Sequence, residues 1–188
     1  MIDHIRLTRY SFLIAESNSW DRRQLSSMLR AAGAMNIQHA HDGSEALEAI
    51  EQQVPDVVII GERLAFLSGR ELVSAIRRHE ARPINHMPIL FVVSKVSRLG
   101  MRELARIGVH EVLCKPFSTK TLVDRIYWTL MVPRPFIRIR GYFGPEPRGK
   151  FWKHVVGIST RGDTSPDFLE DRAVGGPVPV HETDVIEL

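Results

Sequence analysis

Two short runs, Val57–Ile60 (VVII) and Ile89–Val93 (ILFVV), are apolar without a break. A half-exposed strand alternates apolar and polar residues, whereas a strand buried on both faces need not. Such runs belong in the middle of a parallel sheet covered by helices on both sides. Ser11–Ala15 (SFLIA), Ile37–Ala40 and Glu111–Cys114 are read as three further strands. Helix-period segments separate them. Leu25, Met28, Leu29 and Ala32 fall at i, i+3, i+4 and i+7, with Gly33 placed to end that helix. Ala46, Leu47 and Ile50 mark a second helix after the turn pair Asp42-Gly43, and Leu72, Val73 and Ile76 mark a third. Leu99–Ile107 forms a fourth, and Leu122, Ile126 and Leu130 mark a fifth. Five β–α repeats joined by right-handed crossovers predict a doubly wound parallel sheet. Chemistry in such a fold sits at the carboxyl ends of the strands, at the topological switch point.

The chain has 188 residues, 44% of them hydrophobic, enough for one full core. No apolar run approaches the roughly eighteen residues needed to span a bilayer. The N-terminal MIDHIRLTRY carries charges where a secretory leader needs an apolar stretch. The single cysteine, Cys114, excludes a disulfide framework and suits a reducing compartment. The expectation is a cytoplasmic protein without membrane contact, cofactor or metal.

Charge divides the chain unevenly. Residues 1–131 hold 17 Lys/Arg against 14 Asp/Glu, residues 132–154 hold 6 against 1, and residues 155–188 hold 2 against 7. This shift predicts a domain over 10–131 and a largely irregular extension over 132–188, basic and aromatic over 132–156 and acidic and flexible over 157–188. Phe136, Ile137, Ile139, Tyr142, Phe143, Phe151 and Trp152 are costly to leave in water, so something must cover them.

The stretches HDGSEALEAI (His41–Ile50), PDVVII, MPILFVVS (Met87–Ser94) and CKPF (Cys114–Phe117) stand in the order and spacing of a response-regulator receiver, which residues 10–131 resemble throughout. The resemblance implies a flavodoxin-like (βα)5 fold. In that family two acidic residues after the first strand hold magnesium; here they are Glu16 and Ser17, one kept and one lost. The aspartate that accepts the phosphoryl group, at the end of the third strand, corresponds to Gly61. The hydroxyl residue that senses the phosphoryl group falls on Val93 and the small residue after it on Ser94, so a register shifted by one would supply a hydroxyl. The switch aromatic of the fifth strand falls on Val112. The phosphoryl-pairing lysine is kept as Lys115, followed by Pro116, whose preceding peptide bond is cis in the family.

Glycine offers no substitute for a carboxylate nucleophile. Magnesium generally needs one or two carboxylates plus phosphate oxygens, and Glu16 alone is a poor ligand set. Glu62 follows Gly61, but neighbouring strand residues point to opposite sides, so Glu62 is expected to face away from the cleft as a loop charge near Arg63. Lys115 and Glu16 are left facing each other as a candidate ion pair.

Other patterns weigh less. Gly144–Lys150 (GPEPRGK) has P-loop spacing, but Pro145 and Pro147 remove backbone donors and Phe151 stands where a hydroxyl must hold magnesium. Arg98, Arg102 and Arg106 recur at i, i+4 and i+8, a solvated stripe or an anionic docking surface. The resemblance favours docking, because receivers commonly meet partners or dimerise through the fourth helix, fifth strand and fifth helix, where Val112, Tyr127 and Trp128 also lie. Arg134, Phe136, Arg138, Arg140, Tyr142 and Phe143 alternate cations with aromatics; they either pack on the domain or bind a partner, and less readily nucleic acid. His39 and His41 read as surface residues and Cys114 as a buried core thiol.

The expected function is a stand-alone pseudo-receiver in bacterial two-component or phosphorelay signalling. It would work as a non-enzymatic interaction module that binds a histidine kinase, another regulator or a second copy of itself. The alternatives are a nucleic-acid-binding regulator acting through the basic segment, or an atypical receiver that is still phosphorylated, using Glu16 or Glu62.

Overall fold

The computed structural model describes residues 7–139 and 141–146. Strands β1 (Ser11–Ala15), β2 (Asn36–Ala40), β3 (Val57–Gly61), β4 (Ile89–Val93) and β5 (Glu111–Cys114) alternate with helices α1 (Ser19–Ala31), α2 (Gly43–Gln52), α3 (Gly69–Arg78), α4 (Arg98–Arg106) and α5 (Thr119–Met131). The strands pair in parallel in the order β2-β1-β3-β4-β5.

The two unbroken apolar runs form β3 and β4, whose residues are all buried. Their side chains divide by the two-residue period. Val58, Ile60, Ile89, Phe91 and Val93 join Leu72, Ile76 and Leu104 on one face of the sheet. Val57, Ile59, Leu90 and Val92 join Leu25, Leu29, Leu122 and Ile126 on the other. Each fully buried Leu or Ile contributes roughly 1.5–3 kcal/mol, so each helical layer is held by its own four or five positions on the two central strands. Helix starts are marked by Asn18, Asp42, Ser68, Ser97 and Ser118, each of which accepts backbone N–H bonds, with Ser68 and Glu71 forming a capping box. Gly33, at φ +91°, follows the end of α1. Among the described residues no helix is long and apolar enough to cross a membrane.

Three features depart from the sequence expectation. A 3-10 turn at Leu7–Arg9 buries Leu7 completely, and a single helical turn, Arg82–Asn85, precedes β4. More consequentially, the extension is not irregular where it is described. Phe136–Ile139 (β6) and Tyr142–Pro145 (β7) pair as an antiparallel hairpin, closed by Glu146 N–H donating to Pro135 O at 2.8 Å. Gly144 and Pro145 of the P-loop-like spacing are thus strand residues. Arg140, Phe151, Trp152 and the acidic segment 157–188 lie outside the described residues.

The physical reason for the hairpin is a set of partners on the domain itself. The Phe136 ring lies 4.3 Å from His86 and 5.5 Å from His110, and Phe143 meets His86 edge-on at 5.2 Å. Beneath them Arg77 is buried. It donates to the carbonyls of Gly108 and Asn85, both at 2.9 Å, contacts His110 Nδ1 at 3.2 Å, and lies 5.2 Å from the Phe136 ring centre. Burial pulls its guanidinium down to about 9, so it stays charged at neutral pH. Burial likewise pushes Tyr142 up to about 12, and its hydroxyl donates to Pro145 O. Gly108 must be glycine: its φ is +87°, and a Cβ would come within 2.9 Å of Phe143 O. Arg134 donates to His110 O and approaches Glu111 at 3.9 Å.

Candidate functional site

Because β1, β3, β4 and β5 run parallel, their carboxyl ends deliver Glu16, Gly61, Val93 and Lys115 to one end of the sheet. The cleft opens beside β1 and β3, where Ala15 pairs with Ile60, at the switch point of the strand order.

Gly61 ends β3 and is buried, and the space above it is filled. A Cβ built on Gly61 would lie 2.6 Å from Glu16 Oε2 and 3.0 Å from Glu16 Cδ. Glu16 is itself only 6% exposed. Its Oε1 accepts the Asn18 N–H at 3.0 Å, and its Oε2 faces Lys115 Nζ at 3.5 Å. The nearer partner of Lys115 is Asp21, in the first turn of α1, at 2.7 Å. The sequence reading paired Lys115 with Glu16 alone. Asp21 had no signal beyond a carboxylate one helical turn past Asn18, because nothing local says which side of α1 faces the loop after β5. The result is an ammonium clamped between two carboxylates, one of them buried, which strengthens each contact relative to a surface pair.

The other receiver positions are also engaged. Ser17 donates its hydroxyl to Arg63 O at 2.7 Å, tying the loop after β1 to the loop after β3. Arg22 bonds the Glu16 and Ser17 carbonyls at 2.5 and 3.3 Å. Val93 is 1% exposed and its carbonyl accepts the Lys115 N–H at 2.9 Å, while Ser94 lies exposed beyond the strand. The Lys115–Pro116 peptide is cis. Among the described residues no group of three or more His, Cys, Asp or Glu is arranged to hold a metal ion. A magnesium site does not fit this donor set: Lys115 Nζ already lies against Glu16, and the second acidic position is Ser17.

Glu62, the residue after Gly61, pairs loosely with Arg70 at 3.9 Å. Cys114 is exposed, not a core thiol, because it is the last residue of edge strand β5, with Sγ 3.6 Å from Ser94 O. His41 falls beyond β2 and binds Glu45 at 3.0 Å, whereas His39 lies 3.4 Å from Ser26 Oγ, so the two histidines have separate partners.

Arg98, Arg102 and Arg106 are all exposed along α4. Val112 is half-buried in the layer facing α4, and Tyr127 and Trp128 meet edge-to-face at 5.9 Å on α5, with Trp128 44% exposed. In the tail, Phe136, Tyr142 and Phe143 are packed as described, and the exposed Arg138 lies 4.5 Å over the Phe143 ring. Two features were not legible in sequence. Phe66 holds φ +60° in the loop after β3 with 89% of its surface exposed, an unusual conformation for an aromatic residue. A cleft of about 160 Å³ lies between α1 and the loop after β5, lined by Trp20, Leu25, Met28, Pro116 and Phe117 with the Lys115–Asp21 pair at its side.

Residues 12–127 match the response regulator receiver domain family. The chain is 31% identical over 114 residues to the chemotaxis protein CheY-3 of Vibrio cholerae, covering 61% of this chain and 86% of that protein. It is 30% identical over 114 residues to the chemotaxis protein CheY of Pseudomonas aeruginosa, covering 61% and 90%. Among solved structures, chemotaxis protein CheY4 of Vibrio cholerae superposes with a TM-score of 0.59 at 27% identity, over 64% of this chain and 98% of that one. The receiver domain of a sensor histidine kinase from Pseudomonas aeruginosa, which holds a magnesium ion in its active site cleft, gives 0.59 at 23% identity over 65% and 98%, a likeness of fold alone.

Proposed function

The chain belongs to the response regulator receiver domain family, and we propose that in two-component signalling it acts as a pseudo-receiver, an interaction module whose state is set by what it binds and not by aspartyl phosphorylation. The observation that carries this reading is the filled space above Gly61, where a Cβ would collide with the Glu16 carboxylate at 2.6 Å. Glycine cannot accept a phosphoryl group. The lysine that would pair with one is held by Asp21 at 2.7 Å and Glu16 at 3.5 Å. Internal carboxylates thus stand in for the anion, and differential affinity of a partner for the two states is what remains to shift their populations.

The docking face is α4–β5–α5, with Arg98, Arg102, Arg106, Val112, Tyr127 and Trp128. Its partner is a signalling protein with an acidic surface, a histidine kinase or another regulator, or a second copy of the chain. A nucleic-acid role through the basic segment draws less support, because the rings of Phe136 and Phe143 are covered by His86, His110 and Arg138 and offer little face for base stacking.

The test combines labelling and capture. With radiolabelled acetyl phosphate and magnesium, the full chain should take up no hydroxylamine-labile label. It should retain a protein partner from nuclease-treated lysate, and Arg98→Glu/Arg102→Glu/Arg106→Glu should lose that partner. Label that disappears on Glu16→Ala or Glu62→Ala would instead establish an atypical receiver.

A further inference from the structure

We infer that the β6–β7 hairpin is held on the domain only while His110 is neutral, so that a proton on its imidazole Nδ1 releases the hairpin. Two donors meet that nitrogen from different elements: the Ile89 N–H of β4 at 3.1 Å and Arg77 Nη2 of α3 at 3.2 Å. A backbone amide and a guanidinium can only donate, so Nδ1 must offer its lone pair and the ring proton sits on Nε2. The imidazole is thus an acceptor built into the domain at the amino end of the sheet, just before β5. The hairpin rests on it. Phe136 of β6 lies 5.5 Å from the His110 ring and 5.2 Å from the Arg77 guanidinium, and Arg134 donates to the His110 carbonyl.

A proton on Nδ1 turns the acceptor into a donor facing donors, and both hydrogen bonds are lost at once. It also sets a second positive charge beside Arg77, which burial pulls down to about 9 and which therefore stays charged wherever histidine titrates. Arg77 holds the carbonyls of Gly108 and Asn85, both at 2.9 Å. The hairpin sits directly on Gly108, whose Cα would lie 2.7 Å from a Cβ built on Gly144 of β7. Displacing the guanidinium therefore loosens the seat of both hairpin strands. Other titratable and charged groups surround the pair. Arg134 adds a cation beside His110, and Glu111 is a carboxylate already shared by Arg125 at 3.1 Å and Arg134 at 3.9 Å. Tyr142 of β7, pushed up to about 12, is neutral. His86 stacks on the same Phe136 ring at 4.3 Å, but its Nδ1 faces Asn85 Oδ1, an acceptor, so a charged His86 keeps that bond.

The direction of the pH effect follows from proton binding. The docked state holds a proton on His110 less readily than the released state, where the ring titrates near the ordinary histidine value of about 6.5. The contact's contribution to docking is complete above that value and is lost as pH falls through the lower, docked one. Acid therefore uncovers the Phe136 and Phe143 rings and the seat beneath them, at the end of the sheet opposite the cleft of Glu16 and Lys115.

Proton–nitrogen correlation of the imidazoles in the isotope-labelled full chain tests this. At neutral pH His110 should carry its proton on Nε2, with Nδ1 unprotonated. On acidification it should take up a proton about one pH unit or more below the ordinary value of about 6.5. The amide signals of Gly108, Ile137 and Phe143 should shift with the same midpoint. His110→Asn keeps an acceptor near the position of Nδ1 and cannot titrate, so its hairpin amides should hold their docked positions through the same acidification. A proton on Nδ1 at neutral pH overturns the inference. So does a midpoint at or above the ordinary value, or a His110 that stays neutral until the whole chain unfolds. Hairpin amides that follow His86, that stay still while His110 titrates, or that still shift in His110→Asn overturn it equally. The parent chain decides the question even where the variant fails to fold, because the two histidines are read separately within it.

Discussion

Replacing Gly61 with aspartate restores the residue type that the family uses as acceptor, yet in this chain it should disrupt the site. The new Cβ falls 2.6 Å from Glu16 Oε2, closer than real Cβ contacts come, and Gly61 is buried, so the Glu16 carboxylate must move. Moving it breaks the Asn18 N–H bond of 3.0 Å and the 3.5 Å contact with Lys115. Leaving a buried hydrogen-bonding group unsatisfied costs about 1–3 kcal/mol. The added carboxylate also lies against Glu16; two like charges about 4 Å apart at an effective dielectric of about 20 repel by about 4 kcal/mol. Part of that is relieved by proton uptake and by Lys115, so Gly61→Asp should destabilise the chain by about 3–5 kcal/mol at pH 7. Gly61→Ala, which adds only the steric conflict, should cost about 1–2 kcal/mol. Urea unfolding of the single variants, Glu16→Ala and the Gly61→Asp/Glu16→Ala pair gives the cycle. The double variant should be more stable than additivity requires by about 2–3 kcal/mol. An aspartate variant as stable as the parent chain, with additive effects, would refute the claim that Glu16 occupies the acceptor space.

Three further outcomes follow from the same geometry. In urea-unfolding cycles Lys115 should couple more strongly to Asp21, at 2.7 Å, than to Glu16, at 3.5 Å, and Lys115→Ala should cost about 1–2 kcal/mol because the lysine is partly exposed; a larger coupling to Glu16 would reverse the assignment. Phe136→Ala should cost about 2–3 kcal/mol, less than a fully buried ring, and should move the side-chain signals of His86 and His110, which its ring contacts; unchanged histidine signals would contradict the packing of the hairpin. Burial, then the nearby Arg22 and Arg30, hold the His39 imidazole below its ordinary value. The folded state then binds fewer protons than the unfolded state, so stability should fall as pH drops below about 6.5. His39→Gln should remove that part of the slope; identical pH profiles would rule it out.

The parallel sheet could be read from sequence because its two central strands are apolar throughout, and a strand buried on both faces has few other places to go. The ends of those strands then fixed which residues share the cleft, so Glu16, Gly61, Val93 and Lys115 could be brought together before any coordinates. Asp21 could not, since its closeness to Lys115 depends on how α1 is rotated on the sheet. Phe66 carries no sequence mark of its positive φ. The hairpin was missed for a different reason: prolines and arginines masked the strand period, and the ring-shaped complement for Phe136 lies in His86 and His110, 50 and 26 residues earlier in the chain. Cys114 was misjudged because burial was inferred from strand membership, and β5 is an edge strand.

The most direct test of the central claim is a titration of the isotope-labelled full chain with beryllofluoride and magnesium, which together mimic a phosphorylated aspartate. Amide signals of Glu16, Gly61, Ser94 and Lys115 should show no saturable shift. Saturable shifts at those residues would mean that the pocket still takes a phosphoryl-like ligand, and the phosphorylation-independent account would fall.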